Sequence, residues 1–351
     1  MTPRRGVLLT ALCLALAACG ASSNHPRARQ PHGPTGASSA KGATSAAKRP
    51  SVATQIGLAD NDTEFFSDPR FLALGIKLVR VEIPWNVLLV PFYSERLARW
   101  LDAARRDGLT PLITFDHAAP PLRRALPSVA QFSALFLELR RLYPWVTEFL
   151  TWNESNYYGE PTATRPGRVA RYYVVLRHDC PSCTIVAPDV LDITDPRYAL
   201  DEVRWVHEFI RALGFEPSIW ALNDYVGANS LDPSTTERLL HAVTGEVWIA
   251  EVAGIVSEPS HAQAASQAVL LRQATVDRFI LDRLARLSPR IKRVYLYQWQ
   301  AASPRQGWDS ALISSTGTPR PAYYALAQTL AAWGVEPDCA ISQVPPACAG
   351  H

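Results

Sequence analysis

The first 50 positions of this 351-residue chain hold no acidic side chain, although seven basic ones stand there: Arg4, Arg5, Arg27, Arg29, Lys41, Lys48 and Arg49. Set against totals of 35 basic and 32 acidic residues, this leaves the rest of the chain mildly acidic. Such a body has no basic face for nucleic acid, which is excluded as a partner. Histidine is scarce, eight in all, so a His-rich metal centre is not expected. A glycine-rich phosphate turn is also missing. The first strand-like run, Thr54–Ala59, leads into Asp60-Asn61-Asp62-Thr63-Glu64, which offers oxygens in place of amides and argues against a dinucleotide fold. No cofactor is expected. The remaining composition, 48% hydrophobic, suits one large core or two ordinary ones.

The early charge asymmetry has an explanation in export. Arg4-Arg5 followed by the apolar stretch from Val7 to Ala18 has the layout of a secretory signal, and the stretch is too short to span a bilayer. The arginine pair also fits a twin-arginine signal loosely. Leu16-Ala17-Ala18-Cys19-Gly20 resembles the bacterial lipobox, which implies cleavage before Cys19 and lipidation of its sulfur; the alternative is an ordinary signal that contains a cysteine. Residues 1–18 are therefore read as the signal. Residues 19–50, rich in Ser, Ala, Gly, Pro, Lys and Arg, are read as a lipidated, disordered tether. The expected location is the extracytoplasmic face of a cell membrane, and the expected state a monomer. With Cys13 lost and Cys19 lipidated, four cysteines remain. Their close spacings suggest Cys180–Cys183 and Cys339–Cys348 disulfides, among three formal pairings. A redox or half-zinc site at Cys180 and Cys183 is the alternative.

Eight strand-length apolar runs follow one another: Thr54–Ala59, Leu78–Ile83, Thr110–Phe115, Glu148–Trp152, Thr184–Ala187, Ser218–Leu222, Glu246–Ala250 and Arg293–Tyr297. Helical patterns alternate with them, at Glu95–Asp107, Val129–Tyr143, Gly167–Arg177, Leu200–Leu213, Pro233–Val243, Ala262–Leu287 and Ala322–Ala332. Continuous apolar strands alternating with helices imply a parallel sheet buried on both faces. The length favours an α/β fold of the (β/α)8 TIM-barrel kind over residues 51–335, with 336–351 as a tail.

A parallel barrel gathers all strand C-terminal ends on one rim, so polar groups far apart in sequence converge there. These are Asp60; Arg80, Glu82 and Trp85; Asp116 and His117; Asn153 and Glu154; Asp189; Asn223, Asp224 and Tyr225; Glu251; Gln298 and Trp299. Glu154 and Glu251, after strands four and seven, suit paired acid/base chemistry at a glycosidic bond. Asn153 suits a sugar hydroxyl, and Trp85, Tyr157, Tyr225 and Trp299 offer faces for sugar C–H groups. Other readings stay open. Glu154 also fits a solvated loop, Glu251 a structural partner of Arg80, and Asp116-His117 a metal pair or a hydrogen-bonded loop pair.

Thr151-Trp152-Asn153-Glu154 resembles the Asn-Glu motif of the retaining glycoside hydrolases of clan A. The segments Trp248–Gly254, Val79–Trp85, Tyr297-Gln298-Trp299, Trp308–Ile313 and Arg320–Leu326 are similar to their nucleophile segment, second strand and closing elements. The resemblance implies double displacement on a carbohydrate, with Glu154 as acid/base and Glu251 as nucleophile. It also implies support of the nucleophile by Arg80 and, by a looser match, Tyr225, while Trp85, Asp116, His117, Asn153, Tyr157 and Trp299 are read as substrate contacts from their places near the strand ends. The competing function is a glycan-binding lipoprotein without turnover.

Overall fold

The computed structural model describes residues 54–258, 265–303 and 307–335. The signal, the tether with Cys19 and the Cys339–Cys348 pair lie outside the described residues. Nine parallel strands are present: β1 Gln55–Ala59, β2 Leu78–Pro84, β3 Thr110–Asp116, β4 Glu148–Leu150, β5 Thr184–Val186, β6 Asp189–Leu191, β7 Ile219–Asn223, β8 Glu246–Val252 and β9 Ile291–Tyr297. Their order is β5-β4-β3-β2-β1-β9-β8-β7-β6. The ends of this list, β5 and β6, are two halves of one strand, parted by Ala187-Pro188. Proline has no N–H to give a ladder, which is why the apolar run seemed to stop at Ala187.

The divided strand closes the barrel. On one side Thr151 N donates to Val186 O (3.2 Å) and Asp189 N to Trp152 O (3.0 Å). On the other, Ala187 N donates to Ile219 O (2.9 Å) and Asp192 N to Asn223 O (3.2 Å). Eight strands in function, nine by interruption, thus make a (β/α)8 barrel.

The helices are α1 Pro69–Ala73, α2 Pro91–Arg106, α3 Val129–Leu142, α4 Pro166–Asp179, α5 Glu202–Leu213, α6 Tyr225–Ser230, α7 Ser234–Ala242, α8 Gln267–Asp282 and α9 Pro321–Ala332. Their limits are written in the sequence: Pro opens α1, α2, α4 and α9, and Ser128 and Gln131 form a capping box on α3. Gly214, at φ 80°, ends α5 in the left-handed conformation that glycine adopts without strain. The short α1 and α6 carry too few residues for a periodic signal. Cys180 and Cys183 are joined as a disulfide, Cα atoms 5.3 Å apart, as their spacing suggested.

Strand side chains divide into two shells. Outward residues such as Val79, Val81, Ile83, Ile113, Phe115 and Phe149 pack with the helices, whereas Leu78, Leu112, Leu150, Val186, Ala221, Trp248 and Tyr295 fill the barrel. Tyr295 lies so close that a Cβ on Gly57 would come within 2.5 Å of its ring. Below the rim, Arg293 covers the Trp248 ring at 3.9 Å and forks onto Glu148, a paired charge that plugs the barrel floor.

Asp277 on α8 ties that helix to the loop after β8. Its Oδ1 accepts from Gly254 N at 2.7 Å, while its Oδ2 is buried without a partner. Burial lifts this carboxyl to about 7. Unfolded aspartate releases its proton near pH 4, so between about pH 4 and 7 the folded chain holds the extra proton. Asp277 therefore favours folding below that window, and the contribution is lost as pH rises through it. Asp277→Asn keeps the acceptor and cannot ionise. Its thermal midpoint should fall less than that of the wild type between pH 4 and 8; parallel pH curves for the two would contradict this assignment.

Candidate active site

Alternation along β2 aims Arg80 and Glu82 into the barrel, and along β3 it aims Thr114 there. The Arg80 guanidinium, 1% exposed, lies at the centre of the site. Its Nε donates to Thr114 Oγ1 (2.9 Å), one terminal nitrogen to Asn153 Oδ1 (2.9 Å) and Asp189 Oδ2 (3.3 Å), and the other to Glu251 Oε2 and, at 2.9 Å, to Glu82 Oε1. Three carboxylates thus meet one cation. Although burial alone would favour the neutral form, their charges raise Arg80 further above its ordinary range.

Glu251 faces Arg80 only because β8 holds one residue too many. Trp248 and Ala250 point inward, so strict alternation would send Glu251 outward. The register instead slips: Leu222 pairs with Ile249 but Asn223 with Glu251, and on the other edge Val294 pairs with Ile249 but Leu296 with Val252. This bulge restores Glu251 to the interior and leaves Val252 in the outer core.

The Tyr225 hydroxyl donates to Glu251 Oε1 at 2.7 Å, and Glu82 shares a side-chain hydrogen bond with Glu251. Burial first, then the Glu82 charge, push Glu251 well above the usual carboxylate range, while Arg80 and Tyr225 oppose the rise. The two facing glutamates therefore hold a proton between them at pH values where an isolated glutamate has lost its own.

Glu154 stands just beyond β4 at φ 41°, a left-handed conformation that a non-glycine residue keeps only when its surroundings enforce it. The Asp189 carboxylate accepts the Glu154 N–H, Asn153 N donates to Phe115 O (2.8 Å), and Glu154 O accepts from Tyr157 N (2.8 Å). Burial, followed by the charges of Glu251, Asp189, Glu82 and Glu160, raises the Glu154 carboxyl well above its ordinary range. Asp189 is itself lifted to about 7, by burial against the pull of Arg80 and the Glu154 amide.

Along one wall His117 Nδ1 lies 2.9 Å from both Asp116 Oδ1 and Glu160 Oε1, and Trp152 Nε1 donates to Glu160 Oε2 at 3.1 Å. Burial would depress the imidazole, but the two carboxylates outweigh it and lift His117 to about 10. Glu160 rises to about 8 through burial and the Asp116 charge. Among the described residues, these three alone form a group with metal-ligand composition, ligand atoms within 4.8 Å of one another. The imidazolium between the two carboxyls already accounts for their placement.

Arg80, Asp116, His117, Asn153, Glu154, Tyr225 and Glu251 are thus gathered on one rim, with the half-buried Tyr157 in an apolar cluster beside Tyr225. Two aromatic expectations need correction. Trp85 packs in the outer core with its indole N–H on Ala125 O, 2.9 Å away. Trp299, 1% exposed, donates to Asp68 Oδ2 at 3.0 Å and meets Phe71 and Tyr323 edge-on. Both indole N–H groups find protein acceptors, the half-buried Ala125 O and the buried Asp68, and both rings are buried in the outer core instead of open at the surface. Trp308 is half-buried and meets Tyr225 edge-on at 4.9 Å. Glu160 was missed because it follows the motif within a loop, where no periodicity marks it.

No family model matches the sequence, and no curated protein matches it significantly. Solved structures do resemble it. A family 39 glycoside hydrolase from Bacteroides cellulosilyticus WH2 superposes with TM-score 0.54 at 16% identity, covering 80% of this chain and 64% of that one. The chain therefore spans somewhat under two thirds of that protein. A family 10 endoxylanase from a sugarcane soil metagenome gives 0.58 at 14%, covering 79% and 96%, and xylanase XynB from Paenibacillus barcinonensis gives 0.60 at 11%, covering 78% and 95%. At these identities the likeness establishes the (β/α)8 fold alone.

Arg80→Met should expose how far the site depends on one cation. Leaving buried carboxylates without it should cost about 3–5 kcal/mol at neutral pH, and less at pH 5, where the acids can take up protons. Urea unfolding at the two pH values would measure this; equal losses at both would refute it.

Proposed function

We propose that the chain is a retaining glycoside hydrolase that cleaves O-glycosidic bonds of a poly- or oligosaccharide by double displacement. The observation that carries this reading is the contrast between two glutamates on one rim. Glu251 is bound by a guanidinium and a phenol, whereas Glu154 sits among negative charges that keep its proton. A nucleophile and a general acid require this separation of environments.

In the first step Glu251 attacks the anomeric carbon while the bond to the leaving oxygen breaks and Glu154 gives that oxygen its proton. Glu251 reacts as the carboxylate, the form that Arg80 and Tyr225 favour. In the second step the Glu154 carboxylate takes a proton from water, whose oxygen displaces Glu251 from the sugar. Arg80 and Tyr225 hold the glutamate leaving group, Asp189 holds the Glu154 backbone, and the His117 wall and Trp308 flank the sugar.

We further propose export and attachment through lipid on Cys19, supported by the lipobox-like Leu16–Gly20 and the basic stretch behind it.

The soluble domain, residues 51–351, should be assayed on xylan, other β-glycans and 4-nitrophenyl glycosides. Glu251→Gln should abolish turnover, and Glu154→Gln should slow natural linkages far more than activated aryl glycosides. Wild-type rates in both variants would sink the mechanism, and an inverted product anomer by NMR would replace double displacement with single displacement. For the anchor, metabolic fatty-acid labelling should mark the full-length protein and disappear in Cys19→Ala; an unlabelled wild type rejects it.

A further inference from the structure

Asp192 follows the second half of the divided strand and is fully buried, yet it touches none of the groups that would meet a substrate. Its Oδ1 accepts from Tyr225 N and Val226 N, both at 3.0 Å, and its Oδ2 from Gly227 N at 2.7 Å. Three successive amides, beginning with that of Tyr225, therefore converge on one carboxyl group. The approach is close enough that a Cβ on Gly227 would meet Thr235 Oγ1 at 2.1 Å and Asp224 Oδ1 at 2.7 Å, so only glycine fits.

The other side of the same turn is held by Asn229. Its Nδ2 donates to Tyr225 O and to Ala253 O, both at 2.9 Å, and its Oδ1 accepts from Ile255 N at 2.9 Å. Ala253 and Ile255 belong to the loop leaving Glu251. Tyr225 is thus fixed through its N–H to the fifth barrel strand and through its carbonyl to the loop after β8. Asp224, between them, donates its backbone N–H to Glu251 O at 3.1 Å.

We propose that Asp192 and Asn229 are positioning residues for Glu251, acting through Tyr225: the two side chains clamp the Tyr225–Gly227 turn so that the phenol stays on Glu251 Oε1. The proposal rests on the reading of Glu251 as nucleophile and adds the device that holds its hydrogen bond. Asp192 itself is not free to act on substrate. Asp224 shares a side-chain hydrogen bond with it, and Asp224 in turn accepts from Thr235 (3.0 Å) and Thr236 on α7. Behind these lies Glu202 on α5, paired with Arg238 Nε at 3.0 Å. Burial and the Asp224 charge raise Asp192 well above the usual range, in keeping with a proton held inside this group.

The test reads Glu251 directly and needs no substrate. In protein labelled with 13C at glutamate side-chain carboxyls, the Glu251 signal is assigned by its loss in Glu251→Gln and titrated in four proteins: wild type, Tyr225→Phe, Asp192→Asn and the double variant. The phenol hydrogen bond favours ionised Glu251, so losing it moves the titration to higher pH while Arg80, Glu82, Glu154 and Tyr297 still face the carboxyl. Asp192→Asn should produce a shift in the same direction as Tyr225→Phe, and the double variant no more than Tyr225→Phe alone. An unmoved titration in Asp192→Asn, or shifts that add in the double variant, would overturn the proposal. If Asp192→Asn does not fold, Asn229→Ser enters the same cycle with the same expectations.

Turnover on 4-nitrophenyl β-xyloside, or on whichever glycoside the activity screen finds, provides the second readout. Asp192→Asn should lower kcat roughly 10-fold with KM changed less than about 2-fold, and this loss should vanish in the Tyr225→Phe background. A Glu251→Gln protein that still turns over would refute Glu251 as nucleophile, and a wild type inactive on every glycoside would refute the glycosidase reading, while the titration result stays readable on its own.

Discussion

The site is organised around one buried positive charge. Arg80 stands inside the barrel with Glu82, Asp189 and Glu251 in contact, and Glu154 adds its charge nearby. One guanidinium cannot neutralise so many acids in a medium where an uncompensated charge is costly. The excess is met by protons, so the acids divide into those that face Arg80 or a donor and those that keep a proton. Asp189, Glu154 and Glu251 are displaced upward on this account, whereas Glu82, despite its burial, is held below its ordinary range by Arg80 and its hydrogen bonds. The same imbalance separates Glu154 from Glu251, because the leading charges on Glu154 are all negative whereas Glu251 has Arg80 and a phenol.

Two interruptions of regular strand geometry place these groups. Pro188 breaks the fifth strand, and the break sets Asp189 where it reaches both Arg80 and the Glu154 amide. The extra residue in β8 reverses side-chain direction and turns Glu251 inward. A regular barrel would have buried Glu251 in the apolar shell against the helices. The irregularities are therefore what converts an apolar scaffold into a site, in agreement with the frequent occurrence of bulges beside functional groups.

Much of this was legible in the sequence, and the reasons differ by level. Strand-length apolar runs and alternating helices disclosed the barrel because each element must bury a face of known period. The strand-end rule then gathered Arg80, Asn153, Glu154 and Glu251, residues separated by up to 171 positions. The failures were of a different kind. Trp85 and Trp299 stand beside strand ends, where adjacency in sequence says nothing of the direction a loop takes. Their indole N–H groups turned to Ala125 O and Asp68 behind the rim. Asp192 and Glu160 were invisible because their partners are backbone amides or loop side chains brought near only by closure of the barrel.

Glu154 shows how tightly the two levels are joined. Its φ of 41° is conformationally unfavourable for a side-chain-bearing residue, and Asp189 compensates by accepting its N–H. Asp189 is free to do so because Arg80 takes only its other oxygen. The cation that binds Glu251 therefore also steadies, through Asp189, the backbone of the opposing glutamate. Removing charge at one end of this chain of contacts must alter the orientation at the other, so Glu154 and Glu251 form a single electrostatic unit built across strands two, four, five and seven of the barrel.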